Sequence, residues 1–125
     1  MIDLQGAFMA PPEYDLVCLL RDSHVELPET LVQSLLAEIR GELPDAPDPS
    51  SFERRFTLLT LTRNGKDLAR YLHAAQQRDD PRYLPLLPRA ARTLKAAAES
   101  AAGWDPALAR LAEIIATLPE QSCAP

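Results

Sequence analysis

Two consecutive helices are predicted by residues 89–118, RAARTLKAAAESAAGWDPALARLAEIIATL. The first half is rich in alanine, the best helix former, and Gly103 is expected to end that helix. In the second half Asp105 can cap a helix whose first position is Pro106. Apolar side chains recur there at helical spacing until Pro119 ends the helix. The segment therefore indicates a mostly α fold.

Helical spacing of apolar residues continues toward the start of the chain. It predicts one helix over 13–22 and another over 66–78. Between them a further helix is expected, with Pro28 in its first turn and with Gly41 and Pro44 at its end. Together with the two helices above, these segments give a domain of five to six helices.

The middle of the chain allows two interpretations. Residues 44–49 hold three prolines and are expected to form a stiff acidic linker, after which Ser50 or Ser51 would cap the next segment. The stretch 56–62 suits a strand nearly as well as a helix, and Asn64-Gly65 would then be a hairpin turn. A hairpin needs two strands and no second one follows, so a helix is favoured.

Composition and charge limit the class of protein. The chain has 125 residues, enough for one ordinary domain. Its net charge is −5 and it has no cluster of Lys and Arg, so the basic patch that binds nucleic acid or an anionic membrane is missing. No apolar stretch approaches the roughly 20 residues that span a bilayer, and the N-terminus lacks a signal-peptide pattern. Cys18 and Cys123 are poorly placed for a disulfide, and we expect a cytoplasmic protein.

The N-terminal part carries a recognisable motif. It consists of Ile2-Asp3-Leu4-Gln5-Gly6-Ala7, then Pro11, Tyr14-Asp15-Leu16 and Leu19-Leu20-Arg21-Asp22. This pattern resembles the aminoglycoside phosphotransferase family of kinase-like enzymes, and most of all its anomeric kinases for N-acetylmuramate and N-acetylglucosamine. The resemblance covers essentially the whole chain but only the C-terminal part of the family. Gly6 and Ala10 depart from the pattern, which has Asp and Gly there.

The resemblance implies roles for individual residues. Asp3 matches the family's metal-binding aspartate, whose carboxylate would hold the Mg²⁺ that bridges the phosphates of ATP. Asp15 matches an aspartate that braces the catalytic loop by accepting backbone hydrogen bonds, or it simply caps its helix. Arg21 and Asp22 either face a pocket for an amino sugar or form an exposed ion pair.

Several groups that phosphoryl transfer needs are not found in these residues. The reaction requires a lysine on the nucleotide phosphates, a catalytic aspartate and a metal-binding asparagine. Asn64 is the only asparagine, it lies outside the required motif, and four glycines cannot form a phosphate-binding loop. We therefore expect no phosphate transfer, and no bound ATP or Mg²⁺, by the chain alone. A non-enzymatic helical binding module, or a truncated gene product, is the alternative.

The expected organisation follows from the same comparison. Residues 1–12 would be a remnant of the metal-binding loop with a short strand, 13–118 a helical C-lobe domain and 119–125 a flexible tail. The strand would have no partner within the chain, and an unpaired strand edge invites pairing with another chain. A homodimer is expected, or an N-terminal lobe supplied by another chain.

Overall fold

The computed structural model of the protein describes residues 9–44, 47–78 and 80–118. Within these ranges the chain forms α-helices joined by short loops and contains no strand, which confirms the mostly α fold. The expected strand remnant and the tail 119–125 lie outside the described residues. The helices are α1 (Glu13–Leu20), α2 (Glu29–Glu42), α3 (Pro49–Gln77), α4 (Leu87–Ala101) and α5 (Pro106–Ala116), with a 3-10 helix, Pro81–Leu86, before α4.

Helix α3 is the central element. It runs for 29 residues without interruption, so the helix favoured for 56–62 is confirmed and continues through Asn64 and Gly65. The hydroxyl of Thr60 donates to the carbonyl of Phe56 at 2.8 Å, which satisfies this polar group inside the helix. A Cβ at Gly65 would lie 3.7 Å from Cδ1 of Leu94 in α4. The two helices can therefore approach closely at this point.

Two clusters of buried side chains share α3. The first joins α1 and α2 to the N-terminal half of α3, and it consists of Val17, Leu20, Val32, Leu36, Phe52 and Phe56. The second joins the C-terminal half of α3 to α4 and α5, with Leu68, Tyr71, Leu94 and Ile115 among its larger members. Buried alanines of α4 let it lie close to α3. Aliphatic side chains supply most of both clusters, as the composition indicates.

Three helix ends differ from the sequence-based expectation. Asp48, and neither Ser50 nor Ser51, caps α3, since its Oδ2 accepts from the backbone N–H of Ser51 at 2.9 Å. Pro28 has an extended backbone and directly precedes α2 rather than lying in its first turn. Helix α2 also continues through Gly41.

The end of α2 has a clear physical cause. Leu43, with φ −70° and ψ 143°, is extended, because a residue before proline is disfavoured in the helical region. Pro44 therefore ends α2, and Gly41 lies inside it. At α5 the expected cap is confirmed, since the Asp105 side chain accepts from the backbone N–H of Ala107 at 2.7 Å.

Candidate functional site

Two adjoining cavities share Arg21, Glu29, Thr93 and Ala96; the first lies between the α1–α2 turn and α4, and the second lies among residues of α2, α3 and α4. The first, which we call the arginine cavity, has a volume of about 420 Å³ and is lined in part by Arg21, Asp22, Glu26, Glu29, Arg89 and Arg92. The second, the hydroxyl cavity, has a volume of about 350 Å³, and its lining includes Gln33, Glu53, Thr57, Thr60, Thr93 and Ser100. Both volumes fall in the range of small-molecule sites, about 300–1,000 Å³.

An ion pair forms part of the wall of both cavities. Arg21 directly follows α1, and its guanidinium donates through two nitrogens to the carboxylate of Glu29, at 2.7 and 2.9 Å. Its Cζ also lies 5.5 Å from the ring centroid of Phe56. The hydrogen bond from Arg21 lowers the pKa of Glu29 from 4.5, against the opposing effect of burial, and a second hydrogen bond comes from Gln33. Two donors and an aromatic ring therefore fix this pair in one orientation.

A buried asparagine anchors the backbone beneath this ion pair. Asn64 in α3 is fully buried, and its Nδ2 donates to the carbonyl of Arg21 at 3.0 Å. The sequence marked Asn64 only as an asparagine outside a catalytic motif. In the structure it holds the turn between α1 and α2 against α3. Asn64 Oδ1, and Ser23 Oγ in the turn, are buried and have no hydrogen-bond partner among the described residues.

Asp22 is oriented by its own local turn. Its Oδ1 accepts from the backbone N–H of His24 at 2.6 Å and lies 3.0 Å from Nδ1 of the His24 ring. Burial raises the pKa of Asp22, but the hydrogen bonds from His24 together outweigh it, so that the pKa lies below its usual value of 3.8. Arg21 and Asp22 therefore pair with Glu29 and His24 respectively, not with each other.

Two curated proteins are similar to this chain. One, from Pseudomonas aeruginosa, is named N-acetylmuramate/N-acetylglucosamine kinase and is 33% identical over 96% of the chain and 36% of its own length. Another of the same name, from Pseudomonas putida, is 29% identical over 94% of the chain and 35% of its own length. The chain is similar in sequence to N-acetylmuramate/N-acetylglucosamine kinases. It spans about a third of the length of these kinases.

Other comparisons add no further likeness. No family model matches the chain, and no solved structure matches it either. The relationship to the sugar kinases therefore rests on the sequence similarity over nearly the whole chain. It agrees with the family resemblance carried by the N-terminal motif.

The kinase resemblance assigned roles to four residues, and the structure brings two of them together. Arg21 and Asp22 both line the arginine cavity, whereas Asp3 lies outside the described residues. Asp15 is exposed in the first turn of α1. Helix α1 has no side-chain cap hydrogen bond, so the capping alternative for Asp15 is not observed, and its bracing role stays a prediction.

The sequence analysis missed two arginines of the site. Arg89 and Arg92 lie one helical turn apart on α4 and line the arginine cavity. Ala90, Ala91 and Leu94 between and beside them are buried. The one signal in the sequence that could have identified them is their spacing on the helix face opposite the buried alanines. Nothing local in the sequence indicates that these two arginines lie near Arg21.

Neither a metal site nor a membrane span is found in the part of the chain that the structure describes. No three His, Cys, Asp or Glu residues there come close enough together to hold a metal ion. The described residues by themselves therefore do not fit the Mg²⁺ that the kinase resemblance implies. None of the helices among these residues is long and apolar enough to cross a bilayer.

Proposed function

We propose that the chain is the helical C-terminal part of an ATP-dependent amino-sugar kinase of the aminoglycoside phosphotransferase type, and that it binds the sugar but does not transfer phosphate by itself. A cytoplasmic location belongs to the same proposal, because ATP is a cytoplasmic phosphate donor. The relatives that carry this proposal are kinases by name and match 94–96% of the chain.

The arginine cavity and the hydroxyl cavity support the sugar-binding part of the proposal. Sugars are recognised through many hydroxyl groups, which need both donors and acceptors arranged on a rigid surface. The ion pair of Arg21 and Glu29 presents both kinds of group and is held by Phe56 and Gln33. Thr57, Thr93 and Ser100 add side chains that donate and accept.

The catalytic part of such an enzyme would come from elsewhere. Within the 125 residues there is no lysine, aspartate and asparagine set in the arrangement that phosphoryl transfer requires. Asp3 is proposed to contribute one Mg²⁺ ligand once ATP and the remaining ligands are present. A single carboxylate holds Mg²⁺ weakly, because this ion is usually bound by carboxylates together with substrate phosphates.

A single-turnover assay tests the proposal. The chain is mixed with γ-labelled ATP, Mg²⁺ and N-acetylglucosamine or N-acetylmuramate, with the Pseudomonas aeruginosa kinase as the positive control. We expect no labelled sugar from the chain and labelled sugar from the control. Label transfer that Asp3→Ala abolishes would overturn the claim of inactivity. Calorimetry with the same sugars measures binding separately.

A non-enzymatic binding module is a second candidate function. It is favoured by one observation: described residues of this chain, between Leu20 and Ser100, line both cavities. Sugar binding by a chain that shows no label transfer fits either candidate. Adding back a nucleotide-binding lobe separates them, because only a kinase part would then support transfer.

Association with another chain completes the proposal. Leu19 and Val25 are large apolar residues with exposed fractions of 66% and 56%, and Met9 is fully exposed. Covering exposed apolar side chains is favourable. A second copy of the chain, or a separate chain that carries the nucleotide-binding lobe, would cover these side chains. Sedimentation equilibrium at several concentrations detects the homodimer, and a monomer at all concentrations would leave only the separate lobe.

A further inference from the structure

Arg89 differs from the other arginines of the described residues, because it is half-buried and no described residue pairs with its guanidinium. Among the residues that the structure describes, the other arginines without a carboxylate partner are exposed, apart from Arg40, whose guanidinium donates to the carbonyl of Pro47. Arg89 lines the arginine cavity. Within the described ranges, no carboxylate lies within ion-pair distance of its guanidinium and no aromatic ring lies beneath it. A partly desolvated guanidinium without a partner is unfavourable, and a ligand anion would relieve it.

Arg92 adds a second positive charge to the α4 side of the arginine cavity. It lies three residues further along α4, and its nearest carboxylate oxygen is that of Glu26, 4.0 Å away at the limit of an ion pair. The side chains of Arg92 and Glu26 are 50% and 74% exposed, so solvent weakens their attraction. Both guanidinium groups on α4 are therefore available to a ligand in the cavity.

The remaining charges of the cavity are already engaged. Glu29 accepts both hydrogen bonds from Arg21, and Asp22 accepts from the backbone and ring of His24. Arg21 is consequently neutralised, whereas Arg89 is not. The unbalanced charge on the α4 side of the cavity is positive, and the planar guanidinium group is suited to a carboxylate.

We propose that Arg89 and Arg92 bind the carboxylate of an acidic amino sugar and make this cavity prefer N-acetylmuramate to N-acetylglucosamine. The inference rests on the proposed function, since it assumes that the cavity takes the sugar. N-acetylmuramate is N-acetylglucosamine with a lactyl ether added, and the two sugars thus differ by one carboxylate. They form a matched pair of ligands for testing these two arginines.

The experiment is calorimetric titration of the whole chain with each sugar. We expect N-acetylmuramate to bind about 10-fold more tightly or better, because hydrogen bonds between ionised groups are roughly twice as strong as neutral ones. Arg89→Gln should reduce this ratio several-fold, and the double variant with Arg92→Gln should bring it close to one, chiefly because the affinity for N-acetylmuramate falls. Arg110→Gln on the exposed face of α5 is the control, because it removes the same charge away from the cavity.

Each other outcome overturns the inference in a distinguishable way. Equal affinity of the wild-type chain for both sugars would refute it and leave sugar binding, and with it the proposed function, intact. A preference that persists in the double variant would assign the carboxylate to other residues. Binding of neither sugar would overturn the proposed function as well. A further outcome is that Arg89→Gln weakens the binding of inorganic phosphate or ATP but leaves the ratio of the two sugar affinities unchanged. Arg89 would then bind a phosphate group and not the sugar carboxylate, and the inference would be wrong. Circular dichroism melting confirms that each variant is folded.

Discussion

Glu13 at the start of α1 is bound by Arg55 of α3, 42 residues later in the chain. Its Oε1 accepts from Nε of Arg55 at 2.8 Å and from a second guanidinium nitrogen at 2.7 Å. The Glu13 carboxylate is completely buried, whereas 42% of the Arg55 side chain is exposed. Glu13 Oε2 is buried and has no hydrogen-bond partner in the part of the chain that the structure describes. The free-energy cost of removing this pair from water therefore comes almost entirely from the carboxylate.

This asymmetry predicts unequal effects of the two single substitutions. Arg55→Met leaves a buried charge without a counter-ion, which is strongly unfavourable. Glu13→Gln removes the buried charge, keeps one acceptor and leaves a guanidinium that water can reach, so that the cost should be about 1 kcal/mol. Thermal unfolding should show a lower midpoint for Arg55→Met than for Glu13→Gln. Arg54→Met, at the exposed neighbouring position, is the control, and an equal effect of all three would contradict the prediction.

Gly65→Ala should stabilise the protein. Gly65 lies in the middle of α3, where glycine is about 0.5–1 kcal/mol less favourable than alanine. The new Cβ would lie 3.7 Å from Leu94 Cδ1, an ordinary van der Waals distance. Urea unfolding should therefore give a higher free energy of unfolding for the variant. The larger Gly65→Leu should be destabilising because its added atoms must displace Leu94, and a loss of stability already at alanine would contradict the packing described.

The cap of α5 predicts a contrast between two substitutions at one position. Asp105→Ala removes the acceptor for the Ala107 N–H and should cost about 0.5–2 kcal/mol. Asp105→Asn keeps a side-chain oxygen at the cap and should cost much less, because Asn and Asp are similarly good caps. Denaturant titration measures both, and equal losses would show that charge rather than the hydrogen bond matters there.

The pair of Arg21 and Glu29 predicts a pH dependence of stability. The pKa of Glu29 is lower in the folded protein than its usual 4.5, so the pair stabilises the folded state above that pH and loses this effect as the pH falls through the folded-state pKa. Glu29 is largely exposed, and the effect should be only about 0.2–1 kcal/mol. The difference in unfolding free energy between the wild type and Glu29→Gln should be largest near neutral pH and shrink below about pH 4.5. Arg21→Gln should remove the same pH dependence, and an unchanged profile in that variant would refute the assignment.

The sequence predicted those parts of the fold that depend on local signals. Asp105 and Pro106 identify the start of α5 because capping needs only neighbouring residues. The continuity of α3 depends instead on distant contacts. Asn64 donates a hydrogen bond to the carbonyl of Arg21, 43 residues away, and Gly65 leaves space for the side chain of Leu94. A local pattern therefore could not distinguish this helix from a turn.

The candidate site was predictable only in part for the same reason. Arg21 and Asp22 were singled out through the kinase resemblance, with the choice between a pocket and an exposed ion pair left open. Arg89 and Arg92 reach the same cavity because α3 and α4 pack together through buried alanines. Glu29 belongs to the candidate site because it accepts a hydrogen bond from Arg21 across the turn between α1 and α2. These contacts follow from the tertiary arrangement and not from residue spacing.

The unbroken length of α3 determines how the molecule can open. At about 1.5 Å per residue its 29 residues extend for about 43 Å, and the two buried clusters meet on it between Phe56 and Leu61. Loss of either cluster would expose the apolar side of half of this helix to water. Backbone amides near Thr60 should therefore exchange with deuterium only when the whole domain unfolds, whereas amides near Pro49 and Gln77 exchange through local fraying.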